Sequence, residues 1–160
     1  MMHAYLLALE IEPVEVNKVY VALPLHCTVV HWFRSDKSPA EILRLVTPVV
    51  TSAAPLELVS GKPDMFGEDK DVPVNQIQNR EEVIEFHKKL HETLQRIHIV
   101  DTAPKWIRDG YNPHVTRQRS GRFEEGRRFI SHKLYLAEAL MPDDLQQKKI
   151  ISKLFLKGNS

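Results

Sequence analysis

Two short stretches of this 160-residue chain place an imidazole and a hydroxyl two positions apart: His26-Cys27-Thr28 and His114-Val115-Thr116. Imidazole ionises near neutral pH, so in a pair of histidines one ring can take a proton while the other gives one. A threonine hydroxyl beside each ring adds a donor for a phosphoryl oxygen. In a β-strand, residues two apart share a face. His26 then points with Thr28, and His114 with Thr116, while Cys27 and Val115 turn to the other side, where apolar side chains suit a core. Two such strands facing each other would surround one phosphate with two acid–base groups and two anion-binding hydroxyls. That set suits in-line displacement at phosphorus without a metal.

The surrounding pattern supplies the strands. Ala4 to Ile11 is an apolar run closed by Pro13, and Leu25 to Phe33 is rich in β-branched and aromatic residues; both read as strands. Ser38, Pro39 and Glu41 form the signature of a capping box, opening a helix that ends before Pro55. Leu56 to Ser60 and Val72 to Ile77 read as short strands, with Gly61 to Lys70 a loop between them. From Arg80 to His98, Val83, Phe86, Leu90, Leu94 and Ile97 recur at helical spacing. Asp101 to Pro113 is a connection, and His114 to Arg119, Arg128 to Ala137 and Ile150 to Lys157 read as strands. Two long helices with about seven strands make an α+β pattern in a single domain, residues 1–160.

Composition narrows the function classes. With 22 basic and 21 acidic residues, the net charge of +1 exerts no general pull on nucleic acid or anionic membrane. Arg117 to Lys133 is locally basic and reads as a solvated loop or an anion-facing rim. The single cysteine excludes an internal disulfide and a cysteine-based zinc cluster. No glycine-rich phosphate loop follows a strand. Neither a signal peptide nor a membrane-spanning run is expected, which points to the cytoplasm. Cys27 reads as core, because neighbours on a strand face apart and it does not pair with His26. By the same alternation His31 falls on the face opposite His26. His87 and His91, four apart on the second helix, read as its solvent edge. Tyr5, Trp106 and Tyr111 are candidates for stacking on a base, with core or loop packing the plainer reading.

The paired His-x-Thr motifs, His26-Cys27-Thr28 and His114-Val115-Thr116, resemble those of the two-histidine (2H) phosphoesterase superfamily, the LigT-like group of RNA 2′,5′-ligases and cyclic phosphodiesterases. The resemblance extends to the order of strands and helices over most of the chain. It implies a bilobal LigT-like fold: two pseudo-twofold-related antiparallel sheets line a central cleft, with helices outside. One lobe would hold both termini and the other the middle of the chain. It further implies hydrolysis of a 2′,3′-cyclic phosphate or another 2′-linked nucleotide or RNA phosphodiester; a monomer with no cofactor and no metal is expected. The alternatives are a nucleotide- or RNA-end-binding module with little turnover, and a nuclease degrading cyclic oligonucleotide messengers. Family members often carry an aromatic at the cleft border, a place that Phe66 would take. Arg117 stands where the family often has an apolar residue. It either rims the cleft or points to solvent. Arg119, Lys62, Lys70 and Arg108 are further candidates for a phosphate rim.

Overall fold

Residues 2–158 are described by a computed structural model, Trp106 and Arg108 by their backbone alone. The described strands are β1 (His3–Glu10), β2 (Val19–Tyr20), β3 (His26–Ser35), β4 (Leu56–Phe66), β5 (Val72–Ile77), β6 (Val100–Asp101), β7 (His114–Thr116), β8 (Arg128–Ser131), β9 (Lys133–Met141) and β10 (Asp144–Phe155). Helices α1 (Pro39–Ser52) and α2 (Arg80–Gln95) complete the set, with two short 3₁₀ turns at Pro104–Trp106 and Arg108–Gly110. All strand pairings are antiparallel, in a six-stranded sheet β2-β10-β9-β1-β3-β6 and a four-stranded sheet β7-β5-β4-β8. The larger sheet takes the two ends of the chain and the smaller strands from residues 56–131, as the resemblance implied, except that the two-residue β6 of the middle stretch pairs with β3 in the larger sheet.

The apolar run of β1 is buried on both faces because a core cluster packs against each side of it. Tyr5, Leu7 and Leu9 join the main core with Ile42, Val46 and Val50 of α1 and Val83, Phe86, Leu90 and Leu94 of α2. Leu6 and Ala8 face the other way, onto Tyr135, Ala137, Ile150, Val14 and Leu23. Each fully buried leucine of this kind contributes roughly 1.5–3 kcal/mol. The main core also takes Leu58, Ile77, Val115 and Phe123, so it joins the two sheets. The capping box at Ser38 forms as expected: the Ser38 side chain accepts from the Glu41 N–H while the Glu41 carboxylate accepts from the Ser38 N–H.

Several elements differ from the sequence reading. The expected loop from Gly61 continues β4 as far as Phe66, and the β4–β5 turn is tightened to a short segment opening at Gly67, whose φ of +95° suits glycine. The expected single strand Arg128 to Ala137 divides at His132, because β8 pairs with β4 in the small sheet and β9 with β1 and β10 in the large one. At that corner the buried Ser131 hydroxyl donates to the Glu10 carbonyl, replacing a ladder partner. The last strand starts six residues earlier than read, at Asp144, and its early part is exposed, which is why it lacked an apolar signal. The second motif strand stops at Thr116, short of Arg119.

Candidate active site

β3 and β7 belong to different sheets and sit side by side, and this juxtaposition brings the motifs together. His26, Thr28, His114 and Thr116 line one cleft of about 370 Å³, with Leu6, Val21, Ala22, Leu23, His31, Trp32, Gln118 and Lys148. A larger groove of about 870 Å³ lies between α1 and α2, but it holds glutamates and neither motif.

Each motif histidine is fixed in the same way. The Nδ1–H of His26 donates to the Pro24 carbonyl at 2.8 Å, and that of His114 to the Asn112 carbonyl at 2.7 Å. A carbonyl only accepts, so the neutral ring carries its proton on Nδ1 and its basic lone pair on Nε2. Both carbonyls lie two residues ahead of their histidine, in the turns that lead into β3 and β7. Burial pushes His26 down to about 4; the Pro24 carbonyl opposes this, and His114 and Lys148 add to it. Burial also holds His114 below the ordinary histidine range, against the pull of the Asn112 carbonyl. Both rings therefore rest neutral near pH 7, ready to accept a proton.

The structure also brings in residues that the sequence reading left out. His31 lines the cleft on the same face as His26, contrary to strict alternation. Between Tyr5 and Ala8 of β1, three steps, β3 runs five, from Phe33 to Thr28. The surplus residues are bulges, and adjacent Val29 and Val30 are both buried as a result. The phase shift turns His31 towards the cleft, nearly parallel to the His114 ring at 6.0 Å. Burial, with His114, His87 and His26 nearby, pushes His31 down to about 3. The double valine is the one sign of this in the sequence. Lys148 enters from β10, at the other end of the chain, and nothing local announces it.

The remaining candidates divide. The Phe66 ring meets the His114 ring edge-on at 4.7 Å, so it borders the site. Tyr5 does not: it is buried on the helix side of β1 and its hydroxyl donates to the Lys37 carbonyl. Tyr111 offers no surface to a base either, being buried and stacked on His87 at 4.0 Å. Arg117 and Arg119 are exposed and lie outside the cleft lining; Arg119 borders a neighbouring depression with Tyr20 and Pro24. Lys62 and Lys70 are exposed on and after β4. The side chains of Trp106 and Arg108 lie outside the described residues. Cys27 packs in the core, where burial pushes its thiol up to about 12, away from nucleophilic use. His87 and His91 are not at a solvent edge. Both are fully buried, with His87 donating to the Val29 carbonyl at 2.6 Å and His91 paired with Asp101 at 3.0 Å.

Two antiparallel sheets, outer helices and paired motifs in one cleft define a LigT-like two-histidine phosphoesterase architecture. The family model of the 2′-5′ RNA ligase superfamily matches residues 8–138, and the chain belongs to that superfamily. Among solved structures it is similar to TT0787 of Thermus thermophilus, at 14% identity and a TM-score of 0.63, covering 98% of this chain and 100% of that one. A phosphoesterase matches at 12% identity and TM-score 0.62, with 96% and 98% covered. Escherichia coli LigT complexed with 3′-AMP matches at 10% identity and TM-score 0.61, with 98% and 99% covered. No curated protein sequence matches. No described helix is long and apolar enough to cross a membrane.

Proposed function

We propose that this protein is a phosphodiesterase that opens a 2′,3′-cyclic phosphate, or cleaves another 2′-linked phosphodiester, on a small nucleotide or RNA end. The observation that carries the reading is the duplicated geometry: two histidines in one cleft, each with Nδ1 tied to the carbonyl two residues before it, each with a threonine beside it. In the reaction, one neutral imidazole takes a proton from water through Nε2 while the water oxygen bonds to phosphorus. The opposite P–O bond breaks in line, and the second ring, protonated, gives its proton to the leaving sugar oxygen. The product is a phosphomonoester beside a free hydroxyl. Thr28 and Thr116 donate to the non-bridging oxygens as charge builds on them. Both proton transfers are carried by imidazoles, so the reaction as drawn uses no metal.

The test is a panel of 2′,3′-cyclic nucleotides, 2′,5′-linked oligonucleotides and cyclic dinucleotides, with binding and products both measured. The expected result is turnover of the cyclic mononucleotides or the 2′,5′-linked compounds, unchanged by EDTA. Product from the cyclic dinucleotides alone would move the assignment to degradation of cyclic messengers. Tight binding with no product anywhere would make the cleft a recognition module and overturn the reading.

Lys148 supplies the cleft's cationic side chain. Its Nζ donates to the Leu145 carbonyl at 3.1 Å, and burial lowers its affinity for a proton. A lysine partly stripped of water binds an anionic oxygen more strongly than a fully solvated one, and a charged hydrogen bond of this kind is worth about 1.5–3 kcal/mol. Lys148→Met is therefore expected to raise KM about tenfold or more, with kcat reduced less than KM is raised. Steady-state kinetics on the best substrate of the panel check this, and an unchanged KM would remove Lys148 from the substrate contacts.

A further inference from the structure

Tyr111 takes no part in the chemistry above, yet it sits where the two motifs meet. It lies three residues before His114, on the turn whose Asn112 carbonyl holds the His114 ring. Its hydroxyl donates to the carbonyl of Thr28 at 2.7 Å. One side chain thus joins the root of the second motif to the backbone of the first, between strands that belong to different sheets.

The tyrosine is itself held. Its ring lies flat on His87 of α2, with centroids 4.0 Å apart and planes inclined by 5°. His87 donates through Nδ1 to the carbonyl of Val29, at the bulge that turns His31 towards the cleft. Behind His87, the ring of His91 stacks at 5.6 Å and reaches Asp101 on β6, which pairs with β3. His31 packs edge-on against Tyr111 at 6.4 Å. Three residues that the phosphate chemistry does not need are thus buried in a row, and the row ends on the backbone between the two motifs.

We infer that Tyr111, clamped from behind by His87, is a strut that sets the separation and orientation of the His26–Thr28 and His114–Thr116 pairs. It is a positioning residue for the phosphodiester reaction proposed above, and the inference rests on that reading. In-line displacement needs the base on one side of phosphorus and the acid on the other, so a small error in the spacing costs rate more than it costs binding. A misplacement of about 1 Å can reduce catalysis about a hundredfold. One motif alone still offers an anion its hydroxyl and ring.

Tyr111→Phe removes the bond to Thr28 and keeps the ring on His87. The expected result is a fall in kcat of about tenfold or more, with KM within about threefold of the parent. Val46→Ala, a cavity in the core beneath α1, serves as a variant of comparable or greater loss of stability; its kcat is expected to stay within about twofold of the parent. A Tyr111→Phe kcat within twofold of the parent overturns the strut, and so does an equal loss of kcat in Val46→Ala. A second readout needs no turnover: inorganic phosphate titrated into ¹⁵N-histidine-labelled protein. In the parent, His26 and His114 resonances should move together with phosphate, and in Tyr111→Phe they should respond at different concentrations. Joint, unchanged movement in the variant overturns the strut alone. Phosphate that moves neither ring in the parent overturns the phosphodiesterase reading and the strut with it.

Discussion

His26→Ala and His114→Ala should each lower kcat by about 10²–10⁴, the range for loss of a positioned general acid or base. The two rings act on one displacement, so the double variant should fall little below the worse single one. Stability should barely respond. Each ring is only partly buried at the wall of an open cleft, so its removal costs little core packing and relieves the burial of an ionisable group. For a chain of this size the melting temperature is expected to stay within about 4 °C of the parent. Kinetics on the best panel substrate, with a thermal melt of each variant, check both parts. Parent-like turnover in either alanine variant would leave the cleft without its proton carriers and sink the mechanism. Loss of turnover together with collapse of the melt would mark the histidine as structural. Thr28→Val and Thr116→Val separate the hydroxyls from the rings, because valine keeps the strand and the shape but donates nothing to phosphate.

Alternation tells the motif pairs apart from their neighbours because β7 and the start of β3 follow it without interruption. His26, Thr28, His114 and Thr116 line the cleft while Cys27 and Val115 are buried behind them. The same rule fails a few residues later. A bulge is a property of the pairing between two strands, and β3 alone carries no mark of its mismatch with β1 beyond two adjacent valines. Alternation therefore puts His31 on the wrong face. Tyr5 misleads for a related reason: β1 is apolar on both faces, so its composition does not say which face looks at the cleft. His87 and His91 flank the apolar stripe of α2 with polar rings, which reads as a solvent edge. They are buried because their partners, the Val29 carbonyl and Asp101, come from β3 and β6. Lys148 is brought in by sheet closure, through pairing of β10 with β2 and β9. Local pattern thus serves wherever one element positions its own side chains, and gives out wherever a side chain's place depends on the strand or helix beside it.

The pH dependence should be displaced to the acid side of what two ordinary histidines would give. The reaction needs one ring neutral and the other protonated, and in the free protein both rings are held below the usual value near 6.5, His26 at about 4. The singly protonated cleft is thus a minority form at pH 7, and its share falls tenfold with each further unit. We expect kcat/KM, which reports the free protein, to peak below pH 6.5 and to fall about tenfold per unit on the alkaline side. A bound phosphodiester brings a negative charge beside both rings and favours their protonation, so the alkaline limb of kcat should lie at higher pH than that of kcat/KM. The limbs belong to the coupled pair and not to either ring alone. Folding carries the opposite sign. His26, His31, His87 and His114 have lowered folded-state values, so the unfolded chain binds more protons below 6.5. The stability present above that pH drains away as pH falls towards 4. The acid limb must accordingly be measured with circular dichroism at each pH, to separate loss of the base from loss of the fold. Coincident alkaline limbs near or above neutral pH for kcat and kcat/KM would show that the cleft does not hold its imidazoles deprotonated at rest.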